Sequence, residues 1–437
     1  MKQHTIAVLN PGHFHAALSL RDSHPPLADD VYVYAPDGEE LQTFCNYIRD
    51  FNAREQSPTH WNLYVYKGED SLEVLIREHK ADIVILAGKN NSKIASIEQL
   101  NRAGFSIFAD KPWVTEEKNL EFLRAALDSQ RPLTTDIMTE RFEITTVLQK
   151  MFLAEPDVFG RPFVDPHGKP TIFKESVHHL LKIVNGKPLK RPPWYFDVNI
   201  QGEGIVDVTT HLVDMTQWML FPGEKIEFAK DIQIQKAARW ATTVSLEKFS
   251  AITQHSEFPA SVLENVKNSV LQCYCNGEIE YRVKGIPVHI RVLWNVEPPA
   301  GSGDTHYSLI RGTKANLSVR QLSEKNYQSE FLITPHSNPD SFVRPVQAVL
   351  DKHQKDYPGL SLRREENDFI IDIPQPLRTT HEQHFGEARN VFLEMLETGN
   401  EPAELRTNIV SKYTLLVEAK KKALDPSTSS GQAEFKS

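Results

Sequence analysis

The first third of the chain alternates short β-rich runs with helix-patterned stretches, and this alternation constrains the fold more than any other feature. Thr5–Leu9 (TIAVL) reads as a strand running into Asn10-Pro11-Gly12, with a helix expected over His13–Leu20. Val31–Tyr34, stopped by Ala-Pro-Asp-Gly, and Trp61–Tyr66 are further strand candidates, and Asp70–His79 is helical in pattern. Asp82–Ala87 (DIVILA) is a continuous apolar run, as expected for a strand covered on both faces of a parallel sheet. Ile94–Ala103 (helix), Phe105–Ala109 (strand), Glu116–Ser129 (helix) and Leu133–Ile137 (strand) complete the series. Such spacing implies right-handed βαβ units wound into one sheet.

Beyond this region the pattern changes. A helix is expected over Phe142–Leu153, then a Gly/Pro-punctuated stretch over Gly160–Pro193, and a second helix from near Ile205. A long β-rich stretch runs from about Ile226 to Arg320, and Asn276-Gly277 within it reads as a hairpin turn. Helices return from Phe385 to Met395 and over Thr407–Leu424. The expected fold class is α/β. Residues 1–138 form a Rossmann-type doubly wound parallel sheet. Residues 139–424 form an α+β domain with an open, mainly antiparallel sheet, and the terminal helices pack back towards the first domain. Residues 425–437 have no apolar pattern and read as a disordered tail. No internal repeat is visible.

Composition removes several classes. At 437 residues, 40% hydrophobic and 24% charged, the chain can bury a large core without disulfide staples. Its net charge of -9 argues against a nucleic-acid partner, which needs excess positive charge. The three cysteines, Cys45, Cys273 and Cys275, are too few for a disulfide framework. The start, MKQHTIAVLNPG, lacks the apolar stretch of a secretory signal, and no run is long enough to span a bilayer. The protein therefore reads as cytoplasmic, with no membrane partner.

A dinucleotide site needs a strand, a tight glycine turn and a helix N-terminus facing the pyrophosphate. Asn10, Gly12, His13 and Phe14 occupy that turn, with Gly12 at the middle position of G-x-G-x-x-G and His15 at the third. Asp37, just past the second strand, is the candidate for the adenosine ribose hydroxyls. With no Arg nearby it favours NAD, while NADP stays open.

The segment DIVILAGKNNSKIASIEQLNRAGFSIFADKPWVTEEKNLEFLRAAL resembles the Gfo/Idh/MocA family of NAD(P)-dependent oxidoreductases, which acts mainly on sugars, cyclitols and their derivatives. The family's Glu-Lys-Pro at the end of the fifth strand is here Asp110-Lys111-Pro112. TTDIMTERFEI resembles the stretch leading into the second domain, and WYFDVNIQGEGIVDVTTHLVDMTQWM the Gly-rich loop and helix bearing Asp-x-x-x-His, as Asp207 and His211. YSLIRGTKANLSV is similar to a later strand and turn. Two departures mark a divergent branch: most of the glycine fingerprint is replaced, and Gly88-Lys89-Asn90-Asn91-Ser92-Lys93 stands where the family has Thr-Pro-Asn-x-x-His.

The resemblance implies a hydride transfer between nicotinamide and a secondary hydroxyl of a sugar, glycoside or cyclitol, extending to C3 oxidation to a 3-keto sugar. Lys111, Asp207 and His211 would be catalytic: Lys111 polarises the alcohol oxygen, His211 takes its proton and Asp207 orients it or binds hydroxyls. Asp110, Lys111 and Pro112 would border the cofactor. Four residues apart, Asp207 and His211 are expected on one helix face. His178, His179, Trp194, Tyr195 and Asp197 are the candidate sugar contacts. A metal on Asp207 and His211 with His178 or His179 is a lesser alternative, and no metal is expected. Two other functions stay open: an NAD-retaining glycoside hydrolase working by oxidation, elimination and reduction, and a cofactor-free binding or regulatory protein. The family also implies a homo-oligomer, a dimer or tetramer.

Overall fold

The computed structural model describes residues 3–184, 187–299 and 302–425. The chain groups into two compact units. One holds the residues up to Phe142 together with Thr379–Tyr413, and the other holds Glu143–Arg378 and the chain from Thr414 on. The expected tail, 425–437, lies outside the described residues except for Asp425.

The first unit is built on six parallel strands: β1 (His4–Leu9), β2 (Leu27–Ala35), β3 (Asn62–Lys67), β4 (Ile83–Leu86), β5 (Ser106–Ala109) and β6 (Thr134–Asp136), in the order β3-β2-β1-β4-β5-β6. Helices α1 (His15–Leu18), α2 (Glu39–Ala53), α3 (Ser71–Glu78), α4 (Lys93–Arg102) and α5 (Leu120–Ala126) connect them. Both faces are covered. Ile6, Val8, Val31, Val33, Ile83 and Ile85 join one buried cluster, and Ala7, Leu9, Val84 and Ile107, of opposite parity, are buried as well. The sequence reading passed over α2, although Leu41, Phe44 and Ile48 recur at helical spacing and are its buried stripe. The expected His13–Leu20 helix shortens to four residues in α1, because i→i−3 bonds from Leu20 and Arg21 tighten its end into a turn.

The second unit carries helix α6 (Ile144–Leu153), strand β7 (Ile172–His179) and the small pair β8 (Ile183–Val184) and β9 (Lys187–Pro188). Helices α7 (Val198–Gln201), α8 (Thr209–Leu220) and α9 (Phe228–Asp231) follow. Next come β10 (Ile232–Ser245), α10 (Leu246–Thr253), β11 (Val266–Lys267), β12 (Val270–Val283), β13 (Ile286–Asn295), β14 (Thr305–Arg311) and β15 (Ala315–Gln321). Beyond the expected β-rich stretch lie β16 (Glu330–Pro335), α11 (Val343–His353), β17 (Ser361–Glu365) and β18 (Asp368–Asp372). The ten-stranded sheet runs β10-β12-β13-β7-β14-β15-β16-β18-β17, with β11 pairing β12. Its pairings are antiparallel except β13 with β7.

One turn is corrected. Asn276-Gly277 lies inside β12, and the hairpin to β13 is made by Lys284 and Gly285, whose φ values of 47° and 80° suit a two-residue primed turn. Asn276 serves the sheet instead: its amide donates to Trp240 O and Thr242 Oγ1 and accepts from Trp294 N, bridging β10 and β13.

The chain ends in α12 (His381–Thr398) and α13 (Leu405–Leu424). The cut expected at residue 138 is therefore not a single one, since α12 packs within the first unit. Phe385, Phe392 and Leu393 enter the cluster of β1, β2 and β4, and Arg389 donates to the Ser19 and Asp22 carbonyls at 3.0 and 2.6 Å. Among the described residues no helix is long and apolar enough to cross a membrane.

Candidate functional site

In the first unit the turn after β1 is clamped to the end of β4. Asn10 takes a left-handed conformation (φ 47°), Gly12 N–H donates to the Asn10 carbonyl at 2.7 Å, and His13 N–H donates to Ala87 O at 3.0 Å. A Cβ on Gly12 would lie 2.8 Å from Glu40 Oε2, so Glu40 reaches over this turn. Asp37 lies two residues past the end of β2. Its carboxylate is 71% exposed and pairs with Lys67 Nζ at 2.9 Å. The sequence reading missed Glu40 because it missed α2, whose first turn carries it.

Asp110 ends β5 and is buried. His15 Nδ1–H donates to its Oδ2 at 2.8 Å, and His13 Nδ1 lies 3.7 Å from the same oxygen. Burial opposes the charge, but the His15 and His13 imidazoles and the Lys93 ammonium outweigh it and hold the carboxyl well below the usual carboxylate range. Lys93 is itself buried and donates to Asn90 Oδ1 at 2.5 Å and to the Asp110 carbonyl at 2.8 Å. Lys111 follows, half-buried, joined to Pro112 by a cis peptide. The segment is anchored beyond it: Trp113 Nε1 donates to Ala109 O and its ring stacks on Tyr413, whose hydroxyl donates to Asp136 Oδ2 at 3.0 Å. Lys412 Nζ, also buried, lies 2.7 Å from that oxygen. His15, unassigned from sequence, is thus a central residue here. Its ring is accommodated against Phe385 of α12, with centroids 4.5 Å apart.

In the second unit, Asp207 and His211 do not share a helix. Helix α8 begins at Thr209, and Asp207 lies in the preceding turn, where its Oδ2 accepts from Gln201 Nε2 at 3.0 Å. His211 is half-buried in the first turn of α8. The turn is seated on β12 by close backbone approach: a Cβ on Gly204 would stand 1.7 Å from Cys275 O, and Gly204 N–H donates to Tyr274 O at 3.1 Å. Glu203 pairs with Arg239 beside it.

His178, His179 and Tyr195 are brought together through three residues not singled out from sequence. Asp304 receives His179 Nδ1 at 3.1 Å, His178 Nδ1 at 3.5 Å and Lys182 Nζ at 2.8 Å. Burial opposes the Asp304 charge, yet His178 and Lys182 hold it well below its ordinary range. Trp294 lies beside His178 (4.9 Å between centroids) and Tyr195 (6.2 Å), and the Arg191 guanidinium sits 4.4 Å over the Tyr195 ring. Burial pushes the Tyr195 phenol well up, so it stays a protonated donor at neutral pH. Trp194 is buried. Asp197 is committed elsewhere: it caps α7, its Oδ1 accepting from Asn199 N at 2.9 Å. The alternative metal set is not formed, because the two metal-capable groups among the described residues are His13/His15/Asp110 and Glu278/Glu280/His289.

Residues 148–424 match the family described as "Putative oxidoreductase C terminal domain". A "putative oxidoreductase" from Parabacteroides merdae is 40% identical, with a TM-score of 0.92 covering 96% of this chain and 97% of that one. At 12% identity, levoglucosan dehydrogenase in complex with NADH and L-sorbose has a TM-score of 0.63, covering 96% of this chain and 97% of its own. GenD2 from gentamicin A biosynthesis, in complex with NAD, is also 12% identical, with a TM-score of 0.57 covering 97% and 95%. No curated protein matches the chain. The six-stranded parallel order, the Asp110-Lys111-Pro112 segment at the end of β5 and the matched C-terminal region agree: the chain belongs to the Gfo/Idh/MocA family of oxidoreductases.

Proposed function

We propose that the protein is an NAD(P)-linked dehydrogenase that acts on a secondary hydroxyl of a sugar, glycoside or cyclitol, C3 oxidation to a 3-keto sugar being among the reactions open to it. The observation that carries this reading is Lys111, held directly after β5 at the C-terminal edge of the parallel sheet, where open α/β sheets bind their ligands. A sugar substrate is supported by a structural neighbour, levoglucosan dehydrogenase, whose structure holds NADH and L-sorbose.

The residues of the turn fit a dinucleotide. The tip of Glu40, a flexible and partly exposed side chain, lies over Gly12, with Gly88 Cα beside it at 3.5 Å from a Gly12 Cβ. The N–H groups of Asn10, Gly12 and His13 are bonded to the Tyr34, Asn10 and Ala87 carbonyls and shape the turn. Phe14 N–H at the start of α1 would therefore meet the pyrophosphate, and Glu40 in place of Asp37 would take the ribose hydroxyls, favouring NAD over NADP. When bound, the nicotinamide supplies the hydride acceptor. Lys111 is assigned to polarise the alcohol oxygen, His211 to accept the hydroxyl proton, and Asp207, held by Gln201, to bind a neighbouring hydroxyl. His178, His179, Trp194 and Tyr195 are assigned to the sugar. Asp197 caps α7 through Oδ1, and its other carboxylate oxygen is assigned with them to the sugar. A homodimer or tetramer accompanies this reading and is read by light scattering.

The test is a titration with NAD and NADP, followed by a glycoside panel monitored at the NADH band. Saturable NAD binding with substrate-dependent NADH formation supports the reading. Failure of both dinucleotides to bind at millimolar concentration overturns it.

A further inference from the structure

His13, His15 and Asp110 gather three metal-ligating side chains at one edge of the first sheet, and the proposed hydride chemistry leaves both imidazoles unused. One ligand atom from each lies within 4.8 Å of the other two. The rings of His13 and His15 are 4.0 Å apart between centroids and nearly perpendicular. The three side chains are 16%, 14% and 8% exposed, so the group is sheltered yet reachable. Ligands bonded at about 2.0–2.2 Å around a tetrahedral ion stand roughly 3.3–3.5 Å from one another. The separations here, 2.8 Å for His15–Asp110 and 3.7 Å for His13–Asp110, bracket that spacing.

We infer that His13, His15 and Asp110 bind a divalent first-row transition-metal ion of the zinc type, leaving at least one coordination position open. Two imidazoles and one carboxylate suit such an ion, whereas magnesium and calcium require mostly oxygen ligands. Lys93 donates to the Asp110 carbonyl, and the His15 and His13 Nδ1 atoms approach Asp110 Oδ2. The rings of Phe14 and Phe385 each pack 4.5 Å from that of His15, and His381 lies beyond at 6.2 Å. This aromatic wall limits the ring motion that would disperse the ligands. The inference stands apart from the dehydrogenase reading and does not depend on it.

The test uses the full chain, stripped with a chelator and titrated with Co²⁺ while its visible absorption is followed. One ion per chain, displaced by Zn²⁺ and unaffected by Mg²⁺, is expected. His13→Ala should weaken binding by about 100-fold or more, and Asp110→Asn should do the same with its fold checked by circular dichroism. His289→Ala, in the other metal-capable group, should leave it unchanged. Absence of a cobalt band, its survival in His13→Ala, or its loss in His289→Ala overturns the inference. NAD is titrated in parallel. Nucleotide binding without metal binding overturns the metal site alone, and the reverse overturns the dehydrogenase reading alone.

Discussion

Gly88 approaches Asn10 so closely that a Cβ on Gly88 would stand 2.4 Å from the Asn10 carbonyl oxygen and 3.1 Å from Gly12 N. Both neighbours are backbone, so neither can swing aside. Gly88→Ala is expected to lower stability by about 1–3 kcal/mol, as overpacked sites do. Because the displaced segment is the turn proposed to hold the dinucleotide, NAD affinity should fall by about tenfold as well. Thermal melts and NADH fluorescence titrations read the two effects, and unchanged affinity would remove the turn from the cofactor site.

Glu40 and Asp37 separate by their surroundings. Glu40 reaches over Gly12, whereas Asp37 points to Lys67 at the surface. Glu40→Ala should raise KM for NAD by about tenfold or more and narrow the preference against NADP, and Asp37→Ala should change KM little. Equal effects, or the larger effect at Asp37, would return the ribose contact to Asp37.

For the chemical step, Lys111→Met and His211→Ala should each lower kcat by about 10²–10⁴-fold, the range typical of a lost acid-base group. Dinucleotide affinity should change little in His211→Ala, because His211 belongs to the second unit. Turnover within a few-fold of the unaltered protein in either variant would withdraw that residue's role.

Lys174 of β7 offers a test in pH. It is fully buried, donates to Ser308 Oγ at 2.8 Å, and burial lowers it from 10.5 to about 7. Between about pH 7 and 10.5 the unfolded chain holds a proton there that the folded chain has released, so this group makes stability rise with pH. Its penalty is complete below that window and absent above it. Lys174→Met should therefore be more stable than the unaltered protein at pH 7, by about 1 kcal/mol or more, with the difference shrinking by pH 10. Ser308 and Gln149 keep their own bond of 2.9 Å in that variant. A constant difference across the range would show that Lys174 does not titrate there.

Much of the first unit was legible because buried parallel strands leave uninterrupted apolar runs such as IVIL, and all six strands were found. Helix α2 escaped because the Ala-Pro-Asp-Gly signal before it suggested a stop, and with it went Glu40. His15 could not be assigned from sequence, since Asp110 is 95 residues away and Phe385 comes from α12. In the second unit, Asp207 and His211 showed the right spacing, but not that α8 starts only at Thr209 and leaves Asp207 in the turn before it. Trp294, Arg191 and Asp304 left no local signal, because their association with His178 and Tyr195 depends on strand pairing.

The Asn276-Gly277 pair is the clearest case of one signal with two physical causes. Glycine permits a positive φ, but it also permits another backbone to come close, and Gly277 serves the second purpose. A Cβ there would lie 2.7 Å from Ile205 Cβ and 2.8 Å from Ile205 Cα, two residues before Asp207. Gly277→Ala should therefore displace the turn that carries Asp207, lowering stability by about 1–3 kcal/mol and kcat with it. NAD affinity should hold, since the dinucleotide turn belongs to the first unit. Gly285→Ala is the control: no atom lies within 4 Å of its Cβ, but φ is +80°, so it should lose about 1–2 kcal/mol through backbone strain and keep its kcat. A kcat for Gly277→Ala as high as that for Gly285→Ala would detach the Asp207 turn from the reaction.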